Sequence, residues 1–247
     1  MSQPDVYRQL SKKILLENST VMQKIWRMLC TESEADIVNS LPATAEDLAA
    51  KFGWTTGEIQ AVLDRLFRRG VVIDSIREGV LTYRMPKHPI QLHDWTISWP
   101  EAPEELMELW REFEETDYPA LLELVTQIGL PAFMRVIPID EVVSPKNQVL
   151  AFEDAAGLLR SSSTIALVDC VCRKLMKRCD KPLGVCLQLN RAAEFALKRG
   201  TGRKISVEEG IGILKESRDA GLVHFTENSA GRVNVLCNCC HCCCEML

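Results

Sequence analysis

Residues 233–244 read Val233-Asn234-Val235-Leu236-Cys237-Asn238-Cys239-Cys240-His241-Cys242-Cys243-Cys244, a β-type stretch that runs directly into six cysteines. Upstream, Leu222-Val223-His224-Phe225 has the same character. These residues and Arg232 to Leu236 are expected to pair as two strands. Further back, Ser206-x-x-Glu209 has the form of a capping box opening a helix to about Ala220, closed by Gly221. Leu187 to Arg199 carries helical periodicity and stops at Gly200. Ahead of it stand Cys170, Cys172, Cys179 and Cys186, spaced C-x-C-x6-C-x6-C. The segment between the two cysteine groups is thus a folded scaffold that can bring them together.

The chain has eleven cysteines in 247 residues, and ten fall between Cys170 and Cys244. Cys30 stands apart beside Met28 and Leu29 and is expected to be a buried apolar thiol. A disulfide framework suits a small secreted chain. Here Met1 to Asp5 has no basic stretch followed by an apolar one, so a reducing cytoplasm and metal ligation are expected. No run of 18 apolar residues predicts a membrane span. Thiolates select zinc, copper(I) or iron–sulfur clusters. Structural zinc usually takes two C-x2-C knuckles. The first group has none, whereas the tail has three that overlap: Cys237/Cys240, Cys239/Cys242 and Cys240/Cys243. Directly adjacent cysteines are expected to reach different metals, so ten thiols point to polynuclear sites. Two [4Fe–4S] cubanes would use eight thiolates. A run of adjacent cysteines can also hold a non-cubane centre. His241 is a candidate extra ligand, since His replaces Cys in some clusters. Arg173, Lys174, Lys177, Arg178 and Lys181 either offset the charge of a cluster or form a solvated surface.

The rest of the chain frames this region. Residues 1–95 carry 12 basic and 12 acidic side chains, residues 96–150 carry 3 and 11, and residues 151–247 carry 14 and 11. The charge shifts divide the chain into a neutral first domain (1–95), an acidic helical connector (96–150) and a cysteine-rich domain (151–247). In the first, Glu32–Leu41 reads as a helix, Thr44 caps a second one ending at Gly53, and Thr55 or Thr56 caps a third ending at Gly70. Val71–Ile73 and Val80–Tyr83 read as a hairpin. That order predicts a winged helix-turn-helix. Its third helix starts with Thr55, Thr56, Glu58 and Gln60, and its arginines, Arg65, Arg68 and Arg69, come late. Such a helix favours protein contact or dimerisation over DNA reading. In the connector, Glu104–Glu115 and Ala120–Ile128 read as two helices separated by Tyr118-Pro119. No phosphate loop, Ser/His/Asp arrangement or flavin fingerprint is present: Gly200-x-Gly202-Arg203 lacks the lysine of a P-loop. The expected class is mainly α with small β, a winged helix-turn-helix followed by a cysteine-rich iron–sulfur α+β domain.

The combination of Asp169-Cys170-Val171-Cys172-Arg173, Cys179, Pro182, Val185-Cys186, Arg199-Gly200-x-Gly202-Arg203-x-Ile205-Ser206-x-Glu208-Glu209, Ala220-Gly221-Leu222-Val223-His224 and the 237–244 run resembles ferredoxin-type 4Fe–4S proteins of anaerobic bacteria and archaea. The resemblance covers about residues 140–247. It implies cluster binding through Cys170, Cys172, Cys179 and Cys186 and through Cys237, Cys239, Cys240, Cys242, Cys243 and Cys244, with one or two [4Fe–4S] clusters. Longer relatives continue into a bacterial-type ferredoxin domain, a pattern from which this chain departs. The expected function is electron transfer to or from a redox protein partner, as a component rather than a stand-alone catalyst, with a homodimer through the first domain. The alternatives are an iron–sulfur-sensing DNA-binding regulator and a structural zinc-thiolate protein.

Overall fold

The computed structural model describes residues 5–129, 134–137, 155–228 and 233–246. The chain divides into two compact units, 1–124 and 125–247. Parts of the expected connector and of the 140–247 resemblance, namely 130–133 and 138–154, lie outside the described residues, as do Met1 to Pro4 and Arg232.

The first unit is helical: α1 (Val6–Lys13), α2 (Thr20–Leu29), α3 (Glu32–Asn39), α4 (Ala45–Phe52), α5 (Thr56–Arg69), α6 (Pro89–Ile97) and the start of α7 (Glu104–Gln127), with one hairpin, β1 (Ile73–Arg77) and β2 (Val80–Arg84). Local hydrogen bonds set its boundaries. Thr31, Thr44 and Thr55 each cap a helix, and Glu34, Asp47 and Glu58 return the bond, completing three capping boxes. Leu10, Met22, Ile25, Trp26, Ile37, Leu48 and Ile59 are wholly buried. Cys30 caps the end of α2 and is buried, as expected, and burial pushes its thiol far up. The break expected at Pro119 is absent. α7 runs through it as one helix, with Tyr118 buried against Phe113 at a centroid distance of 6.2 Å. Aromatic burial there outweighs the missing proline N–H.

The second unit holds β3 (Met134–Val136), α8 (Ala155–Ser161), β4 (Ile165–Val168), α9 (Val171–Met176), β5 (Cys186–Leu189), α10 (Asn190–Arg199), β6 (Gly202–Lys204), α11 (Val207–Asp219), β7 (Val223–Glu227) and β8 (Val235–Cys239). Its strands form one six-stranded sheet in the order β3-β7-β8-β5-β4-β6, antiparallel at every step. The expected class, mainly α with small β and built from a winged helix-turn-helix and a small iron–sulfur domain, is overturned by that sheet. The described chain is a mixed α and β protein. The helices and hairpin of 32–85 form in the expected order, yet they belong to a larger helical unit that the winged-helix description does not capture.

The strands were missed for physical reasons. Ile165-Ala166-Leu167-Val168 is apolar throughout because both its faces are covered, so it shows no alternation. Ile165 enters the larger core with Leu187, Leu189, Leu236 and residues of α8 and α11. Ala166 and Val168 enter a smaller core with Cys186 and, from α10, Ala193 and Ala196. Residues 187–189, read as helix, are strand, and the helix starts only at Asn190. Gly202 is required where β6 meets β4, since a Cβ there would sit 2.8 Å from the Leu167 carbonyl oxygen.

Glu34 ties the first unit together. Its carboxylate accepts from the Thr31 N–H at 3.0 Å and meets Arg65 at 2.8 Å and Arg69 at 3.4 Å. Burial favours its neutral form, but the Thr31 N–H and the two guanidiniums overcome this and hold it below the usual carboxylate range. A carboxyl depressed in the folded state adds stability above its unfolded value, near pH 4.3, and loses it as pH falls through the folded value. Glu34→Gln is therefore expected to cost about 1–2 kcal/mol at neutral pH and to flatten the acid limb of the first unit's unfolding curve. Urea titrations from pH 7 to pH 3 check both.

Candidate metal centre

Ten cysteines meet in the second unit, but not as their sequence spacing groups them. β8 lies between β7 and β5, with Leu236 opposite Leu187 and Cys237 opposite Phe225. The chain then leaves β8 in a turn closed by the Cys244 N–H on the Cys240 carbonyl at 3.1 Å. That turn places Cys240 and Cys243 on one side, as residues three apart on a helical turn lie together. Cys179 comes from the loop after α9. Its Sγ is 3.8 Å from that of Cys240 and 3.8 Å from that of Cys243, and Cys243 and Cys242 are 3.9 Å apart. All four sulfurs lie within 4.8 Å of one another.

These four can hold a metal ion, and their size says what kind. The edge of a tetrahedron is about 1.6 times its centre-to-vertex distance, so a metal–sulfur bond of about 2.3 Å requires edges of about 3.8 Å. Three edges of the quartet have that length, and none exceeds 4.8 Å. In a cubane each thiolate binds a different iron of the cluster, which spreads the four sulfurs well beyond a single ion's tetrahedron. A [4Fe–4S] cluster therefore does not fit Cys179, Cys240, Cys242 and Cys243 as they stand. The turn swings the adjacent Cys242 and Cys243 both toward Cys179, so these two can serve one ion.

The other expected ligands sit elsewhere. Cys186, on β5, has its Sγ 3.9 Å from Cys237 on β8. Cys239 interacts with Cys237 and Cys244, and Cys170 with Cys172. The first sequence group thus breaks up: Cys179 joins the tail quartet, Cys186 pairs with Cys237, and Cys170 and Cys172 stay together at the start of α9. His241 is exposed and stands outside the quartet.

Charge around the thiols is organised by Arg173, which is 2% exposed. Its guanidinium donates to the Asn238 carbonyl at 3.1 Å, to the Cys240 Sγ at 3.5 Å and to the Pro182 carbonyl. Burial raises the Cys240 thiol, but Arg173, the Cys242 thiol and the Cys243 N–H together outweigh it and bring Cys240 down to about 7. The Cys172 thiol, with help from the Arg173 N–H and guanidinium, brings Cys170 down to about 7 as well. Burial pushes Cys243 up to about 12, against a bond from the Arg178 N–H. Backbone N–H groups thus donate to Cys170, Cys240 and Cys243, as they do to thiolate ligands. Of the other basic residues singled out in the sequence, Lys181 bonds the Ala220 carbonyl at the end of α11, while Lys177 and Arg178 are exposed. Sequence reasoning missed Asn238. It lies buried on β8, receives His224 on its side-chain oxygen and donates to the Val185 carbonyl, locking β8 beside the loop into β5. An asparagine between two cysteines carries no sequence signal of that role.

The late arginines of α5 are likewise engaged inside their own unit: Arg65 and Arg69 with Glu34, and Arg68 with Glu101. No helix among the described residues is long and apolar enough to cross a membrane. No protein-family model, curated protein or solved structure matches this chain.

An ion bound by these four crowded thiols would contribute folding energy in the second unit. Stripping metal from the full chain with a chelator is expected to lose amide protection over 165–246 and leave 6–124 unchanged. Hydrogen exchange reads the two regions separately.

Proposed function

We propose that the second unit is a thiolate-bound iron redox module that exchanges electrons with a protein partner. The observation that carries this reading is a buried guanidinium, Arg173, set among reduced thiols. A buried cation without a counter-charge is costly. Thiolates on a metal supply that counter-charge, whereas neutral thiols do not. Ten thiols in one small unit, all unpaired as disulfides, are more than a structural zinc ion uses. Thiolate-bound iron would supply a one-electron couple there. The protein's own part is to bury Cys186, Cys239, Cys240 and Cys243, to donate N–H groups to sulfur and to place one positive charge beside the thiols. These are the levers by which a protein sets such a couple. Exposed Lys177, Arg178 and Leu183 flank Cys179 and give a partner with an acidic surface a place to dock.

A structural zinc site is the second reading, and the tetrahedral edges of the quartet favour it. The two part company on protein purified without oxygen. Iron with acid-labile sulfide, and a brown absorption that bleaches with dithionite, supports the redox module. Zinc alone, without colour, refutes it.

Arg173→Met is expected to lower the reduction potential by an amount on the order of tens of millivolts, because a positive charge beside the thiolates favours the added electron. Arg173→Lys, which keeps the charge, should restore most of it. A redox titration followed by absorbance checks both, and a purely structural arginine would leave the potential unmoved.

A further inference from the structure

We propose that the ten thiols form two centres of different kind: one ion in the quartet Cys179, Cys240, Cys242 and Cys243, and a separate polynuclear iron–sulfur centre drawn from Cys170, Cys172, Cys186, Cys237, Cys239 and Cys244. The inference rests on the reading that this unit binds metal through thiolates.

The strand register makes the separation. Cys186 and Cys237 lie one step beyond the Leu187–Leu236 pair and face the smaller core, with Ala166, Val168, Ala193 and Ala196. Cys240 and Cys243 belong to the larger core, with Leu187, Leu189 and Leu236, and Cys170, Cys179 and Cys242 pack against it. Side chains alternate along a strand, so Cys239 falls on the same face of β8 as Cys237. From there the thiols continue pairwise, Cys237 to Cys239 and Cys239 to Cys244, while Cys170 meets Cys172 at the start of α9.

The shape of this run differs from that of the quartet. Among the described residues, the quartet is the set of cysteines whose four sulfurs all lie within 4.8 Å of one another. The six are strung out from the sheet to the start of α9. One four-coordinate ion takes four thiolates on one tetrahedron. Six thiols outside the quartet are more than one four-coordinate ion takes, and a cluster accommodates such a set because each thiolate binds a different iron. Cys172 also lies 4.0 Å from the Glu245 carboxylate, and the other five are soft donors of the kind that hold iron–sulfur clusters as well as zinc or copper(I).

The test uses the full chain purified without oxygen, as wild type and as Cys242→Ser, Cys237→Ser and Cys186→Ser, with iron, zinc and acid-labile sulfide counted per chain. Cys242→Ser is expected to lose one metal ion and keep all its sulfide. Cys237→Ser and Cys186→Ser are expected to lose the sulfide with two or more irons and keep the single ion. Cys186 lies on a different strand from Cys237, so it serves if Cys237→Ser does not fold. Loss of the same metals and sulfide from Cys242→Ser and Cys237→Ser would overturn the proposal in favour of one shared centre. A wild-type chain with one ion and no sulfide would overturn it and leave the quartet standing. A chain without any metal would overturn the thiolate-metal reading itself.

Discussion

The pairing of β8 with β7 on one side and β5 on the other is the constraint on which the second unit depends. It is an antiparallel ladder between segments about fifty residues apart, Leu187 with Leu236 and Gln188 with Val235. Through it the cysteine-rich end of the chain is delivered beside Cys186 and over the loop that carries Cys179. Asn238 fastens the same strand by its side chain, to His224 on β7 and to the Val185 carbonyl ahead of β5. A one-residue slip of β8 would turn Cys237 and Cys239 to the opposite face of the sheet and part Cys237 from Cys186.

Electrostatics supplies the second condition. Burial alone raises the thiols, as at Cys243, so a cluster of them resists ionisation. Arg173 opposes that locally at Cys240, and N–H groups of the turn and of α9 add to it. The arginine is held by two backbone carbonyls besides the thiol, so its position is determined by the fold and not by the ligand. A positive charge fixed in advance next to soft donors is a form of preorganisation, since it need not be ordered when metal or electron arrives.

The first unit is built on different principles. Three capping boxes terminate its helices, and one buried carboxylate gathers two arginines of α5. Both guanidiniums thus have a partner inside the unit, although half of the Arg65 side chain stays exposed.

Much of this was legible in the residues. The soft donor set, the isolation of Cys30, the caps at Thr44, Thr55 and Ser206, and the β7–β8 pair all follow from residue types a few positions apart, because a cap is a hydrogen bond between neighbours in the chain and a hairpin partner lies nearby. What the sequence hid is non-local. Ile165–Val168 shows no period when covered on both faces, and Leu187–Leu189 borrows the helical look of α10, which follows it. The grouping of thiols was hidden for the same reason: C-x-C-x6-C-x6-C counts residues along the chain, whereas contact depends on register across the sheet. Residue identity thus determined that this unit offers thiolates to a metal. Only the tertiary structure decided which thiols stand together, because strand register and one buried arginine bring side chains together without regard to their spacing in the chain.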